Sequence, residues 1–88
     1  MTATLLTNEL TTEPATRIID ARGSFCPGPL MELIRAIRES AVGDLLTVYS
    51  SDAGSKIDIP KWIDKAGHRL VGTETRDGFD AITVEKLR

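Results

Sequence analysis

The chain is expected to fold as an α/β two-layer sandwich in the order β-α-β-α-β-β, a mixed four-stranded sheet with two helices on one face. Three observations lead there. Leu30, Leu33, Ile34 and Ile37, and again Ile59, Trp62, Ile63 and Ala66, recur at i, i+3, i+4 and i+7, the spacing of one helical face. A short β-prone run precedes each of these stripes. Finally, Asp77-Gly78 is a strong two-residue turn signal that divides the C-terminal stretch into two strands. At 88 residues the chain has room for one core, and a sheet covered by a helical layer is the economical way to build it.

Residues 1–16 are threonine-rich, contain Pro14, and show no sustained period, so they read as a flexible tail ahead of a domain at 17–88. Residues 17–20 form a first strand around Ile18 and Ile19, and a loop with Gly23 follows. The first helix begins after Pro27 and ends near Ser40, with Gly43 supplying the turn. Residues 45–50 make a second strand through Leu46, Val48 and Tyr49. Asp52 is the capping candidate for the second helix. Pro60 should kink that helix or mark its true start, with Asp58 as the alternative cap, and Gly67 is the stop. The last two segments, 69–76 and 79–87, alternate imperfectly, which predicts a bulge or an edge strand. The second face of the sheet is left partly open to solvent.

Composition excludes several classes of function. Charged residues make up 27% with a net charge of −2, and no Lys/Arg cluster offers nucleic acid a footprint. The single cysteine rules out an intramolecular disulfide framework and cannot alone supply a structural zinc site; the single His68 adds no metal cluster. No basic segment followed by an apolar run marks a signal peptide, and no stretch approaches the roughly 20 apolar residues of a membrane span. The expectation is a cytoplasmic protein in a reducing compartment, free of membrane and without direct nucleic-acid contact.

Cys26 stands in Asp-Ala-Arg-Gly-Ser-Phe-Cys-Pro-Gly-Pro, residues 20–29. Two prolines this close are tolerated only in the first turn of a helix, which places Cys26 at or just before a helix N-terminus. The positive end of the helix dipole favours a thiolate there. A free cysteine is often mere packing, but Gly28 leaves the approach to the sulfur open and Pro27 and Pro29 stiffen the turn. Without a second cysteine the protein cannot form or resolve its own disulfide, so a group on Cys26 must be released by another molecule's nucleophile. Sulfane sulfur held as a persulfide meets that limit and requires no metal or organic cofactor. Arg22 in the preceding loop would bring positive charge toward the sulfur, with a solvated loop arginine as the equal alternative. Lys56 reads as solvated, Asp52 and Asp58 as helix caps, Trp62 as packing, and His68 as a surface residue with a mildly favourable partial positive charge at a helix C-terminus.

The Cys-Pro-x-Pro element at 26–29, the preceding Asp20-x-x-Gly23, Gly43-Asp44, Asp52 and Asp58-Ile59-Pro60 resemble the TusA/SirA-like family of small sulfur carriers over about residues 17–87. The resemblance implies a two-layer α/β sandwich, with Cys26 as sulfur acceptor and Pro27 and Pro29 shaping its site. It also implies a sulfurtransferase working as a protein sulfur carrier, a monomer in transient complexes. Its donor would be a rhodanese-like or DsrE-like protein or a cysteine desulfurase, and its acceptor a protein with a reactive cysteine. Gly28 at the variable position looks more like the branch serving cytoplasmic sulfur oxidation. The alternatives are sulfur relay for tRNA thiolation or molybdenum cofactor synthesis, and a non-catalytic regulatory or interaction module. The same fold occurs in an RNA-binding translation factor domain, so fold alone does not decide function.

Overall fold

The computed structural model describes residues 16–88. Apart from Thr16, the segment read as a tail lies outside the described residues. The elements are β1 (Thr16–Asp20), α1 (Gly28–Arg38), β2 (Leu45–Ser50), α2 (Ala53–Ala66), β3 (Arg69–Arg76) and β4 (Phe79–Glu85), the order expected from the sequence. The sheet runs β1-β2-β4-β3. β1 pairs parallel with β2 across the α1 crossover, and β4 pairs antiparallel with both β2 and β3.

The two faces of the sheet follow from strand alternation. Leu46 and Val48 of β2 and Ile82 and Val84 of β4 are fully buried on the helical side, with Ile19 of β1 beside them. The helices supply Leu33, Ala36, Ile37, Ile59 and Ile63 to the same core, and Leu30 and Trp62 pack at its edge. Each such Leu or Ile contributes about 1.5–3 kcal/mol on burial. The opposite face carries Leu45, Thr47 and Tyr49, which are half-buried. The edge strand β3 is exposed at every residue, and its register slips between Leu70 and Gly72, which is the bulge that the broken alternation foretells.

Helix ends fix the loops that matter. Asp52 caps α2, its side chain accepting the Ser55 N–H, and Gly67 closes the helix. The alternative start at Asp58 is not used, and α2 runs from Ala53 through Pro60 to Ala66. The physical reason is that the earlier cap is strongly held: Ser50 Oγ accepts the Asp52 N–H at 3.1 Å, and Ser55 is wholly buried behind it. Pro60 removes one N–H from the helix interior, a cost of up to about 3 kcal/mol that the burial of Ile59 and Ile63 offsets. At the C-terminal end of α1, Lys86 Nζ donates to the carbonyls of Ile37 and Ser40, both at 2.7 Å, tying the chain after β4 to the helix.

Candidate functional site

Cys26 is half-buried in the turn that leads into α1. Pro27 takes the cap position and is exposed, whereas Pro29 in the first turn is fully buried, so the two prolines differ in role: one shapes the rim, the other anchors the helix to the core. Gly28 is confined as well as permissive, since a Cβ there would lie 3.2 Å from Ser24 Cβ. The helix mouth offers the sulfur few donors. Pro27 and Pro29 carry no N–H, the Gly28 N–H donates to the Phe25 carbonyl at 2.7 Å, and the Met31 N–H donates to the Pro27 carbonyl at 2.8 Å.

Carboxylates face the sulfur instead. Cys26 Sγ–H donates to Asp58 Oδ2 at 3.2 Å, and the Cys26 N–H donates to Asp52 Oδ2, also at 3.2 Å. Asp52 Oδ2 additionally accepts from the Ser55 N–H at 3.2 Å and the Ser55 hydroxyl at 3.4 Å. Ser50 and Ser55 are the buried polar residues among those described, and both bond Asp52. Ser50 holds the Asp52 backbone and Ser55 its carboxylate, so the buried polar side chains among the described residues fix Asp52 against the Cys26 N–H. Gly54 makes room for this: a Cβ at that position would come within 3.1 Å of Asp52 Oδ2 and 3.8 Å of Cys26 Cβ.

The electrostatic outcome reverses the sequence expectation of a thiolate favoured at a helix mouth. The Asp58 carboxylate, by accepting the Sγ–H bond, holds the Cys26 thiol above its ordinary value. Desolvation and the charges of Asp58 and Asp52 act in the same direction, with the Ser55 hydroxyl opposing them. The dipole of a helix mouth is worth only a partial charge, and two full negative charges outweigh it.

The other candidates lie elsewhere. Arg22 forms a two-pronged pair with Asp20, Nε to Oδ1 at 2.8 Å and Nη2 to Oδ2 at 2.7 Å, which brings the Asp20 carboxyl down to about 2. Its guanidinium lies over Phe79, 4.9 Å from the ring centroid, and near Tyr49 at 5.6 Å, so its contacts are on the open face of the sheet and its charge is not among those acting on Cys26. Lys56 turns to Asp80 at 3.7 Å and Thr75 Oγ1 at 3.5 Å. His68 is pushed toward its neutral form: burial lowers its pKa, Lys86 and Arg88 add to that, and its Nδ1 accepts the Leu87 N–H at 3.1 Å. A shallow hollow of about 330 Å³ lies on the open face, lined by Ile18, Thr47, Tyr49, Val71 and Thr83, and Cys26 takes no part in it. Among the described residues no cluster of His, Cys, Asp and Glu is arranged to hold a metal ion, and no helix is long and apolar enough to cross a membrane.

Sequence reasoning missed the convergence of Asp52 and Asp58 on Cys26. Both residues drew attention as caps, but only the packing of α2 against the mouth of α1 brings them to the sulfur. No local pattern carries that information, nor does one mark Ser50, Ser55 or Gly54.

The site defines a class: a small α/β sandwich that presents one hydrogen-bonded thiol at a helix mouth. The comparisons with known proteins narrow it. The family model described as Sulfurtransferase TusA matches residues 17–86. A relative in Archaeoglobus fulgidus, named as a candidate sulfur carrier, is 48% identical over 71 residues, covering 81% of this chain and 97% of that protein. The sulfur carrier protein TusA of Pseudomonas paraeruginosa is 40% identical over 67 residues, covering 76% of this chain and 85% of its own length. The crystal structure of the SirA-like protein from Desulfitobacterium hafniense superposes with a TM-score of 0.73 at 24% identity, covering 82% of this chain and 99% of that one, and so shares the fold. The chain belongs to the TusA family.

Proposed function

We propose that the protein is a sulfur carrier that holds sulfane sulfur as a persulfide on Cys26 and passes it to a partner protein's cysteine. The observation that carries this reading is a single half-exposed thiol, fixed at the mouth of α1 by Pro27, Gly28 and Pro29, in a chain with no second cysteine. In loading, Cys26 gives up its proton and its sulfur attacks the outer sulfur of a donor cysteine persulfide. The donor S–S bond breaks as the Sγ–S bond forms, and the donor sulfur leaves as a thiolate that takes up the proton. In unloading, an acceptor thiolate attacks the outer sulfur, the Sγ–S bond breaks, and Cys26 leaves as a thiolate and is reprotonated. The sulfur moves with no net gain or loss of electrons, so no redox cofactor is needed.

The partners are proteins with their own reactive cysteines: a rhodanese-like or DsrE-like protein or a cysteine desulfurase as donor, and a thiol-bearing acceptor. Gly28 within Arg-Gly-Ser-Phe-Cys-Pro-Gly-Pro supports a place in cytoplasmic sulfur oxidation over tRNA thiolation or molybdenum cofactor synthesis. The weak contacts such exchange requires suit a monomer in transient complexes. The test is intact-mass analysis after incubation with a sulfane-sulfur donor. The protein should gain one sulfur mass, lost on reduction, and Cys26→Ser should gain none. A folded wild-type protein that takes up no sulfur from any donor class, or a Cys26→Ser variant with undiminished function in cells, would leave only an interaction module.

A further inference from the structure

Among the described residues Asp52 and Asp58 form no ion pair, although five other acidic side chains, Asp20, Glu39, Glu74, Asp80 and Glu85, do. On their own helix, Lys56 pairs with Asp80, and Lys61, three residues after Asp58, forms no ion pair with it. From the loop before Cys26, Arg22 is committed to Asp20. The sulfur is thus faced by two carboxylates that are in no ion pair among the described residues, Asp58 bonded to Sγ and Asp52 to the Cys26 N–H. This charge is built in rather than incidental, because the buried Ser50 and Ser55 hold Asp52 in place and Gly54 is small where its carboxylate passes.

Apolar surface accompanies the charge. Phe25, next to Cys26, is 78% exposed, Ile57, next to Asp58, is 61% exposed, and Met31 in the first turn of α1 is 57% exposed. These three side chains, close in sequence to Cys26 and Asp58, give a docking protein apolar surface to cover. A protein that docks here covers the two carboxylates, and desolvating them without a counter-charge is costly.

We propose that the surface around Cys26 is selective for a partner that carries a lysine or arginine beside its own sulfur-bearing cysteine, and that this cation, by pairing with Asp58, releases the Cys26 sulfur for exchange. This deepens the sulfur-carrier reading and rests on it. At rest, Asp58 keeps the proton on Sγ and the thiol is guarded. In the complex, the partner's cation offsets the carboxylates, and the thiolate needed for attack becomes accessible where the other sulfur already lies. An anionic partner surface is repelled, so the two charges act as a filter on who exchanges sulfur as well as a brake on idle reactivity.

The test uses two thiol-reactive probes with the same reacting group and opposite charge, trimethylammonioethyl and sulfonatoethyl methanethiosulfonate. Each forms a mixed disulfide on Cys26 with methanesulfinate leaving, and each rate is divided by that for the uncharged thiol 2-mercaptoethanol. At low salt the normalised cation-to-anion preference should be about tenfold, falling toward unity as salt is added, as two nearby charges in water produce. Asp58→Asn, a change at an exposed position, should reduce the preference, and the Asp52→Asn/Asp58→Asn pair should abolish it. The wild-type salt dependence gives the same reading even where the double variant fails to fold. A normalised ratio near one at low salt, or a preference for the anionic probe, overturns the proposal. Sulfur loading measured on the same samples separates the two readings. Charge selectivity without loading defeats the carrier reading alone, and loading without charge selectivity defeats this inference alone.

Discussion

Cys26 meets two carboxylates that look alike in the sequence and do different work. Asp52 is partly buried and accepts from the Cys26 N–H, the Ser55 N–H and the Ser55 hydroxyl. Asp58 is exposed and bonds only the sulfur among the hydrogen bonds formed. Asp52→Ala should therefore cost about 1–2 kcal/mol, the value of a helix cap, whereas Asp58→Ala should leave stability within about 0.5 kcal/mol. Chemical denaturation of the two variants checks this contrast, and equal losses would contradict it. Reactivity should order the other way. Asp58 favours the protonated thiol, so Asp58→Asn removes the largest force raising its pKa, and the pH profile of Cys26 alkylation should move to lower pH. A profile that stays put or moves upward would show that Asp58 does not govern the sulfur.

At the scale of the elements, the hydrophobic stripes of α1 and α2, the second strand, the bulged hairpin and the stop at Gly67 are all legible in the sequence, because each is signalled within a few residues of itself. The site is only half legible. Cys26 and its prolines stand out, since proline spacing is a local constraint. The Asp58 contact spans 32 positions and the Asp52 contact spans 26, and both exist only because α2 packs beside α1. That is also why the shift of the thiol runs opposite to what the α1 dipole alone would give: α2 delivers carboxylates that no feature of α1 signals. Lys86 is a second long-range contact with no local signal. From beyond β4 its ammonium donates to the Ile37 carbonyl in the last turn of α1 and to the Ser40 carbonyl just after the helix. Lys86→Met should destabilise the domain by about 1–3 kcal/mol, the worth of hydrogen bonds from a charged group. Thermal or denaturant unfolding measures it, and a variant as stable as wild type would contradict the role.

At the scale of the whole molecule, one helical layer covers one face of the sheet, and the stability of such a small domain leaves little margin. Its pH dependence should show two windows. The pKa of His68 is lowered by burial and by Lys86 and Arg88, so folding favours the neutral ring. That contribution is complete above the unfolded value near about 6.5 and is lost as pH falls through it, because the unfolded chain takes up the proton first. Asp20, held down to about 2 by Arg22, contributes above the unfolded value of about 3.9 and loses that contribution only as pH falls toward 2. Melting temperature should decline as pH falls below about 6.5 in the wild type and decline less in His68→Gln, where parallel curves would exclude His68 as the cause.

The fold places the Cys26 sulfur at a junction of loop, α1 and α2, apart from the Tyr49–Phe79 pair on the open face of the sheet. That geometry suits brief encounters in which another protein's cysteine must reach a single sulfur. The most direct measurement of the central claim is peptide mass spectrometry of the protein loaded with isotopically labelled sulfane sulfur, freed of donor, and then given a thiol acceptor. The account predicts that the label resides on Cys26 alone and leaves with the acceptor, returning the unmodified thiol. Label that never reaches Cys26, or that stays there when a competent acceptor thiol is supplied, would contradict it.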